Sequence, residues 1–185
     1  MPIPNVAQPE YLPIDEALRL HRYEGHCDFA LDWYQDAAMV KLVDNAAELY
    51  TLDKLTRMYT YLNQKGELYF IEVRENGTWF PVGDVTFWQE DLPIVIGNAA
   101  YRGRGIGKKV ISALIRRGAS LGYESLFVNE IYDFNTASQK CFTSVGFRPY
   151  KRTENGWKYR LNFTENGCSA DLICSGNGYP EAHRS

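Results

Sequence analysis

The residues best suited to chemistry cluster at Tyr101-Arg102-Gly103-Arg104-Gly105-Ile106-Gly107-Lys108-Lys109. An apolar run at 92–97 precedes them, and Ile106, Val110, Ile111, Leu114, Ile115 and Leu121 follow at helical spacing. The glycines therefore fall at a strand-to-helix turn, where unpaired backbone N–H groups and the positive end of the helix dipole converge. Glycine lets an anion approach that backbone, so the chemistry on offer is binding of a phosphate. The dinucleotide pattern GxGxxG fails, because Lys108 stands where its last glycine belongs. The pattern GxxxxGK[ST] fails as well, because Lys109 follows Gly107-Lys108. A glycine turn that only starts a structural helix fits the same residues.

Two carboxylates are placed for acid–base work. Glu130 ends a strand-like stretch at 125–131, five residues before Asn135. In an apolar cleft its pKa would rise toward neutrality, which suits taking a proton from an ammonium group or through water. Asp84 interrupts the apolar stretch 82–88, where a carboxylate is costly unless it is paired or faces a cleft. Each has a plainer reading: an exposed strand-end carboxylate for Glu130, a buried salt bridge for Asp84. Asp91 reads as a turn residue. Cys27, Cys141, Cys168 and Cys174 form no CxxC pair and no zinc spacing. Cys141 falls on the apolar face of a helix, as a small core residue. His21, His26 and His183 do not cluster with cysteines or carboxylates along the chain, so no metal is expected.

Composition narrows the class. The 185 residues suffice for one domain with a core, and 45% hydrophobic with 23% charged residues is globular composition. A net charge of −3 argues against a broad nucleic-acid surface. The local charge of Arg102, Arg104, Lys108 and Lys109 suits a small anionic ligand better. No apolar run nears the ~20 residues of a membrane span, and no basic start with an apolar block marks a signal peptide. A cytoplasmic protein with reduced thiols is the expectation.

The elements that must position these residues follow from periodicity. Residues 1–13 read as an irregular lead and 17–23 as a first strand. A short amphipathic helix follows over 28–37, with Asp28 as N-cap, and then a loop over 38–50. Thr51 opens a second helix with Leu52, Leu55, Met58, Tyr59 and Leu62 on one face, stopped by Gly66. Strands follow at 68–73, 82–88 and 92–97, the first two joined across Asn76-Gly77. After the glycine loop, its helix runs to about Gly122 and a strand to 131. Asn135 or Thr136 caps the next helix, with Thr136 and Gln139 at capping-box spacing and Gly146 as its stop. A hairpin of 147–152 and 157–163 turns at Asn155-Gly156, and 164–185 is a polar tail. This alternation is an α/β chain with a mixed sheet and helices on both faces.

Two motifs carry a resemblance. Arg102, Gly105 and Gly107 satisfy the spacing Arg/Gln-x-x-Gly-x-Gly/Ala. Residues 135–147 read Asn-Thr-Ala-Ser-Gln-Lys-Cys-Phe-Thr-Ser-Val-Gly-Phe, a helix that starts with asparagine and ends in Gly-Phe. With a strand between them, they resemble the pyrophosphate loop and the following helix of the GNAT acetyltransferases, over residues 14–163. The Trp33-Tyr34 helix is similar to that of members acting on ribosomal proteins or aminoglycosides. The resemblance implies a mostly antiparallel sheet splayed at its centre. It also implies acetyl transfer from acetyl-CoA to an amine by direct attack, with no covalent enzyme intermediate. The pantetheine arm would enter between 92–97 and 125–131 and pair with Val95, Ile96 and Gly97. The pyrophosphate would rest on Arg102, Gly103, Arg104, Gly105, Ile106, Gly107 and Lys108. Asn135 would touch the pantetheine arm, act as an N-cap, or do both. Glu130 lies at the offset of the base in some enzymes acting on protein N-termini, with Asp84 as the other catalytic candidate.

One departure stands out. Many relatives have a tyrosine that protonates the leaving thiolate where this chain has Phe142; Tyr132 or water could substitute. Phe142 is also what favours the alternative, a CoA-binding sensor or partner module without catalysis. On the acceptor side stand Trp33, Tyr34, Asp36, Asp44, Glu48, Tyr59 and Trp157. They suit a small cationic amine or a protein N-terminus, although Trp33 and Tyr59 suit a packed core at least as well. A monomer and a homodimer are both open.

Overall fold

The computed structural model of the chain describes residues 3–163. The expected tail at 164–185, with Cys168, Cys174 and His183, lies outside the described residues. Strands β1 (Tyr11–Asp15), β2 (Leu18–Arg22), β3 (Glu67–Glu75), β4 (Thr78–Phe87) and β5 (Ile94–Val95) form one sheet in that order. Strands β6 (Ser125–Tyr132), β7 (Arg148–Arg152) and β8 (Gly156–Asn162) form a second, in the order β6-β8-β7. Every strand pair among the described residues is antiparallel.

The first sheet is sandwiched between two apolar cores because β3 is apolar on both faces. Tyr69, Ile71 and Val73 join one core with α3 (Ile106–Ser120) and α4 (Thr136–Ser144). Leu68 and Phe70 join the other, with α1 (Ala37–Asp44), α2 (Leu52–Lys65) and the 3₁₀ helix Asp28–Gln35. A strand covered on both sides reads as a near-continuous apolar run, and only the last two residues of β3 are exposed. The β3–β4 turn works as expected, since Asn76 and Gly77 both take positive φ, 50° and 83°.

Four expectations need correction. The lead contains a strand, β1, whose Pro13 sits on a sheet edge where no ladder donor is missed. The 28–37 helix is a 3₁₀ turn with Cys27 at its N-cap position and no side-chain cap, so Asp28 does not cap it. The 38–50 stretch is not a loop at its start: Asp36 caps α1 by accepting from the N–H groups of Ala38 and Met39. No Thr136–Gln139 capping box forms, because Asn135 caps α4 through Ser138 N. The Gln139 amide instead donates to the carbonyls of Tyr132 and Asp133.

Candidate active site

The site starts where the two sheets meet. β5 is the last strand of the first sheet and β6 an outer strand of the second, so each has an edge with no strand partner. They are joined where the chain enters them. Phe127 N donates to Gln89 O, the Gln89 amide to Ser125 O, and Asn129 N to Asp91 Oδ1, at 2.9 Å for the last. Asp91 Oδ1 also takes Leu92 N at 2.9 Å. Asp91, read from sequence as a turn residue, is thus the pin between the sheets. Burial pushes its carboxyl upward against those two N–H bonds. The β6–β8 register shifts between Val128 and Ile131, a bulge that re-aims Glu130.

The glycine loop closes one end of this gap. Gly103 and Gly105 take φ of 73° and 78°, a region that penalises side chains, and each faces open space where a Cβ would stand. Gly105 is the N-cap of α3 and no side chain caps that helix. Its first N–H groups are therefore available to an anion, beside exposed Arg104 and Lys108. Ile106 is buried and anchors the helix start in the core. A Cβ at Gly107 would come 3.4 Å from Cys141 Sγ, so the loop packs against α4. Cys141 is half-buried, as expected of a small packing residue, and burial raises its pKa against the pull of Lys108. The open cradle, uncapped helix end and unpaired strand edge fit a nucleotide pyrophosphate with an extended arm.

The other expected residues fall as follows. Val95 pairs with Asp84 across β4 and β5, and Ile96 and Gly97 continue past the strand end. Gly97 is needed there, since a Cβ would lie 2.3 Å from the Trp33 ring. Arg102 does not reach into the loop. Its guanidinium donates to Ile96 O, Gly97 O and Asp36 Oδ2 at 2.9, 2.7 and 3.0 Å, buttressing the strand end. Asn135 caps α4, and its amide nitrogen reaches Leu42 O on α1 at 3.2 Å. Glu130 is half-buried and accepts a hydrogen bond from the Thr153 hydroxyl, at the β7–β8 turn.

Asp84 lies apart from Glu130, inside the core beneath α2. Among the described residues no lysine or arginine pairs with it. Its Oδ2 accepts from the Tyr34 and Tyr59 hydroxyls at 3.0 and 2.9 Å. Burial pushes its pKa up to about 7, the two hydroxyl bonds opposing that rise. The same burial, then the Asp84 charge, raises both tyrosines well above their ordinary range. Sequence reading missed this Tyr–Asp–Tyr unit, Asp36 as a cap and Asp91 as a pin. Only Asp36, which precedes the run Ala37-Ala38-Met39-Val40, carried a local signal.

His21 also differs from expectation. Its Nδ1 lies 3.0 Å from Glu72 Oε1, and Glu10 and Glu24 bring carboxylates close to its ring. Strand pairing gathers carboxylates that the linear sequence keeps apart. Phe142 is buried and packs edge-on against Phe147, 5.2 Å between centroids.

A mixed α/β chain with two antiparallel sheets parted at β5 and β6, and a glycine loop at the parting, defines an acetyltransferase architecture. The sequence model of the Acetyltransferase (GNAT) family matches residues 28–147, and the chain belongs to that family. A search of curated proteins gave no match. Among solved structures, a domain from Methanocaldococcus jannaschii superposes with a TM-score of 0.70 at 22% identity, over 80% of this chain and 99% of that one. A GNAT-family acetyltransferase from Bacillus anthracis gives 0.65 at 16%, over 82% and 98%. The structure of AAC(6')-Ib in complex with ribostamycin and coenzyme A gives 0.66 at 14%, over 88% and 100%.

Proposed function

We propose that this chain transfers acetyl from acetyl-CoA to a primary amine, by direct attack within a ternary complex. The observation that carries this reading is the pair of unpartnered edges on β5 and β6, with the open, uncapped glycine loop at one end. An extended amide-bearing arm can pair with such an edge while its phosphates meet the α3 N-terminus. Residues 95–97 would hold the arm and 103–108 the pyrophosphate, with Arg102 as the buttress behind both.

Chemistry then requires an amine without its proton, a donor for the developing oxyanion and a proton for the departing thiolate. Glu130 is the base in this reading, because it stands at the β6 bulge beside the gap, oriented by Thr153. The free N–H groups of the β5 edge are the oxyanion donors. Tyr132 supplies the thiolate proton. A tyrosine hydroxyl carries its proton at neutral pH, and burial, then the charges of Glu130 and Asp44, push its pKa further up. Asp84, sealed under two tyrosines, shapes the wall opposite Val95 rather than moving protons.

The acceptor we infer is a small cationic amine. Residues 28–50, which pack beside Val95 and Gly97, carry five carboxylates and one lysine. That balance suits a polyamine-like acceptor, and AAC(6')-Ib has a comparable fold in complex with ribostamycin. The test is CoA thiol release from acetyl-CoA across aminoglycosides, polyamines, amino acids and short peptides with free N-termini, beside a no-acceptor blank. Turnover with cationic small molecules supports the reading. Turnover with peptides alone moves the acceptor to protein N-termini, and blank-level rates throughout favour a non-catalytic CoA-binding module. With an active acceptor, Glu130→Gln should lower kcat about a hundredfold while CoA affinity stays within about twofold. An unchanged kcat removes Glu130 from the mechanism.

A further inference from the structure

Helix α1 is fastened at both ends to the segments that this reading gives to acetyl-CoA. At its start, Asp36 Oδ1 accepts from Ala38 N and Met39 N at 3.0 and 3.3 Å, while Oδ2 accepts from Arg102 at 3.0 Å. Near its end, Leu42 O accepts from the Asn135 amide at 3.2 Å. Arg102 gives its remaining bonds to Ile96 O and Gly97 O. A continuous set of contacts therefore runs from the acceptor-side helix, through one guanidinium, to the end of β5.

We propose that Asp36 is a positioning residue for the acetyl-CoA slot. By fixing Arg102 it holds the Ile96 and Gly97 carbonyls, and so the edge of β5, in the arrangement that takes the pantetheine arm. It does this from the helix that walls the acceptor side, so one carboxylate sets both subsites. The proposal rests on the acetyl-CoA reading above. Asp36 touches neither reacting atom; it acts through Arg102.

Two effects compete when Asp36 is neutralised. Loss of the ion pair frees the guanidinium and loosens the strand end. Loss of a negative charge favours the polyanionic CoA. The second effect is weak here: the Asp36 side chain is 38% exposed, and ~0.15 M salt screens beyond about 8 Å. The first acts through a planar fork with three fixed bonds, a geometry that binding exploits directly. Loosening wins, and CoA affinity falls.

Asp36→Asn isolates this term, because asparagine caps helices as well as aspartate does but carries no charge. Coenzyme A is titrated calorimetrically into wild type, D36N, D36A, R102Q and the D36N/R102Q double variant, at physiological salt. Asp53→Asn, on an exposed surface pair with Arg57, is the control. Expected is about a fivefold weaker Kd in D36N with Tm unchanged, and no further loss when D36N is added to R102Q. D36A should weaken binding similarly and also lower Tm, through the lost cap. D53N should match wild type. CoA binding by D36N equal to or tighter than wild type overturns the proposal, as does full additivity with R102Q. Wild type that does not bind CoA removes the acetyl-CoA reading itself, and this proposal with it.

Discussion

Asp84 and Glu130 are both acidic residues on strands, yet their surroundings differ. Glu130 is half-buried and accepts from the Thr153 hydroxyl, while Asp84, among the described residues, accepts from two tyrosine hydroxyls. Folding raises Asp84 from an ordinary 3.8 to about 7. Below about pH 4 folded and unfolded chains both hold its proton. Between about pH 4 and 7 the folded chain keeps a proton that the unfolded chain has released, so stability falls as pH rises through that window. At 1.36 kcal/mol per pKa unit the full loss is at most about 4 kcal/mol. Asp84→Asn cannot ionise and escapes it. Urea unfolding at pH 4.5, 6 and 8 should find the variant gaining on wild type by about 2–4 kcal/mol across the range. A pH-independent difference would mean that Asp84 is charged in the fold. That a carboxylate in an apolar strand is anomalous was legible in the sequence. Its partners were not, because Tyr34 and Tyr59 lie 50 and 25 residues away and nothing local marks them.

At the scale of elements, legibility followed how local the cause was. The Asn76-Gly77 hairpin, the Thr51 cap of α2 and the glycine-led α3 depend on adjacent residues and could be read directly. β5 could not. The sequence offers a six-residue run at 92–97, but the strand is only Ile94–Val95: Pro93 gives just its carbonyl to Thr86 N, and the Arg102 fork and the Trp33 ring take over Ile96 and Gly97. β1 was hidden because it borrows its pairing from β2. The β4–β5 contact depends on Gly83, where a Cβ would lie 2.1 Å from the Val95 carbonyl oxygen. Backbone cannot yield as a side chain does, so Gly83→Ala should cost about 2–3 kcal/mol and abolish CoA binding. Gly105→Ala meets open space, and its penalty is only that of a positive φ, about 1 kcal/mol. Thermal melts would read the stability losses and calorimetry the binding losses. Equal stability losses would mean that β5 is not held by close approach.

At the scale of the molecule, the described residues form two sheets and two cores held in register by a few buried polar links. Glu67, fully buried at the start of β3, receives Arg117 of α3 at 2.6 and 3.2 Å and the Tyr69 hydroxyl at 3.0 Å. Arg117 also reaches Ala7 O, tying in the N-terminal segment. Arg117→Met would strand a buried charge and should destabilise by about 3 kcal/mol, read as a lower urea midpoint at pH 7. An unchanged midpoint would mean that Glu67 is held by Tyr69 alone. The gap between the sheets has the opposite character. Gln89 and Asp91 join them on one side, and α1 spans them through Arg102 and Asn135 on the other. A ligand seated between them must therefore restrain both sheets together. Hydrogen exchange with saturating coenzyme A should slow at 95–108 and also at 129–138 and 36–44, although these segments belong to different layers. Occupancy at about 100 times Kd adds about 2.7 kcal/mol to global stability, so the added protection at those segments should exceed the general rise seen in β3. Protection confined to 103–108 would instead describe a phosphate held by the loop alone, with the edges of β5 and β6 left open.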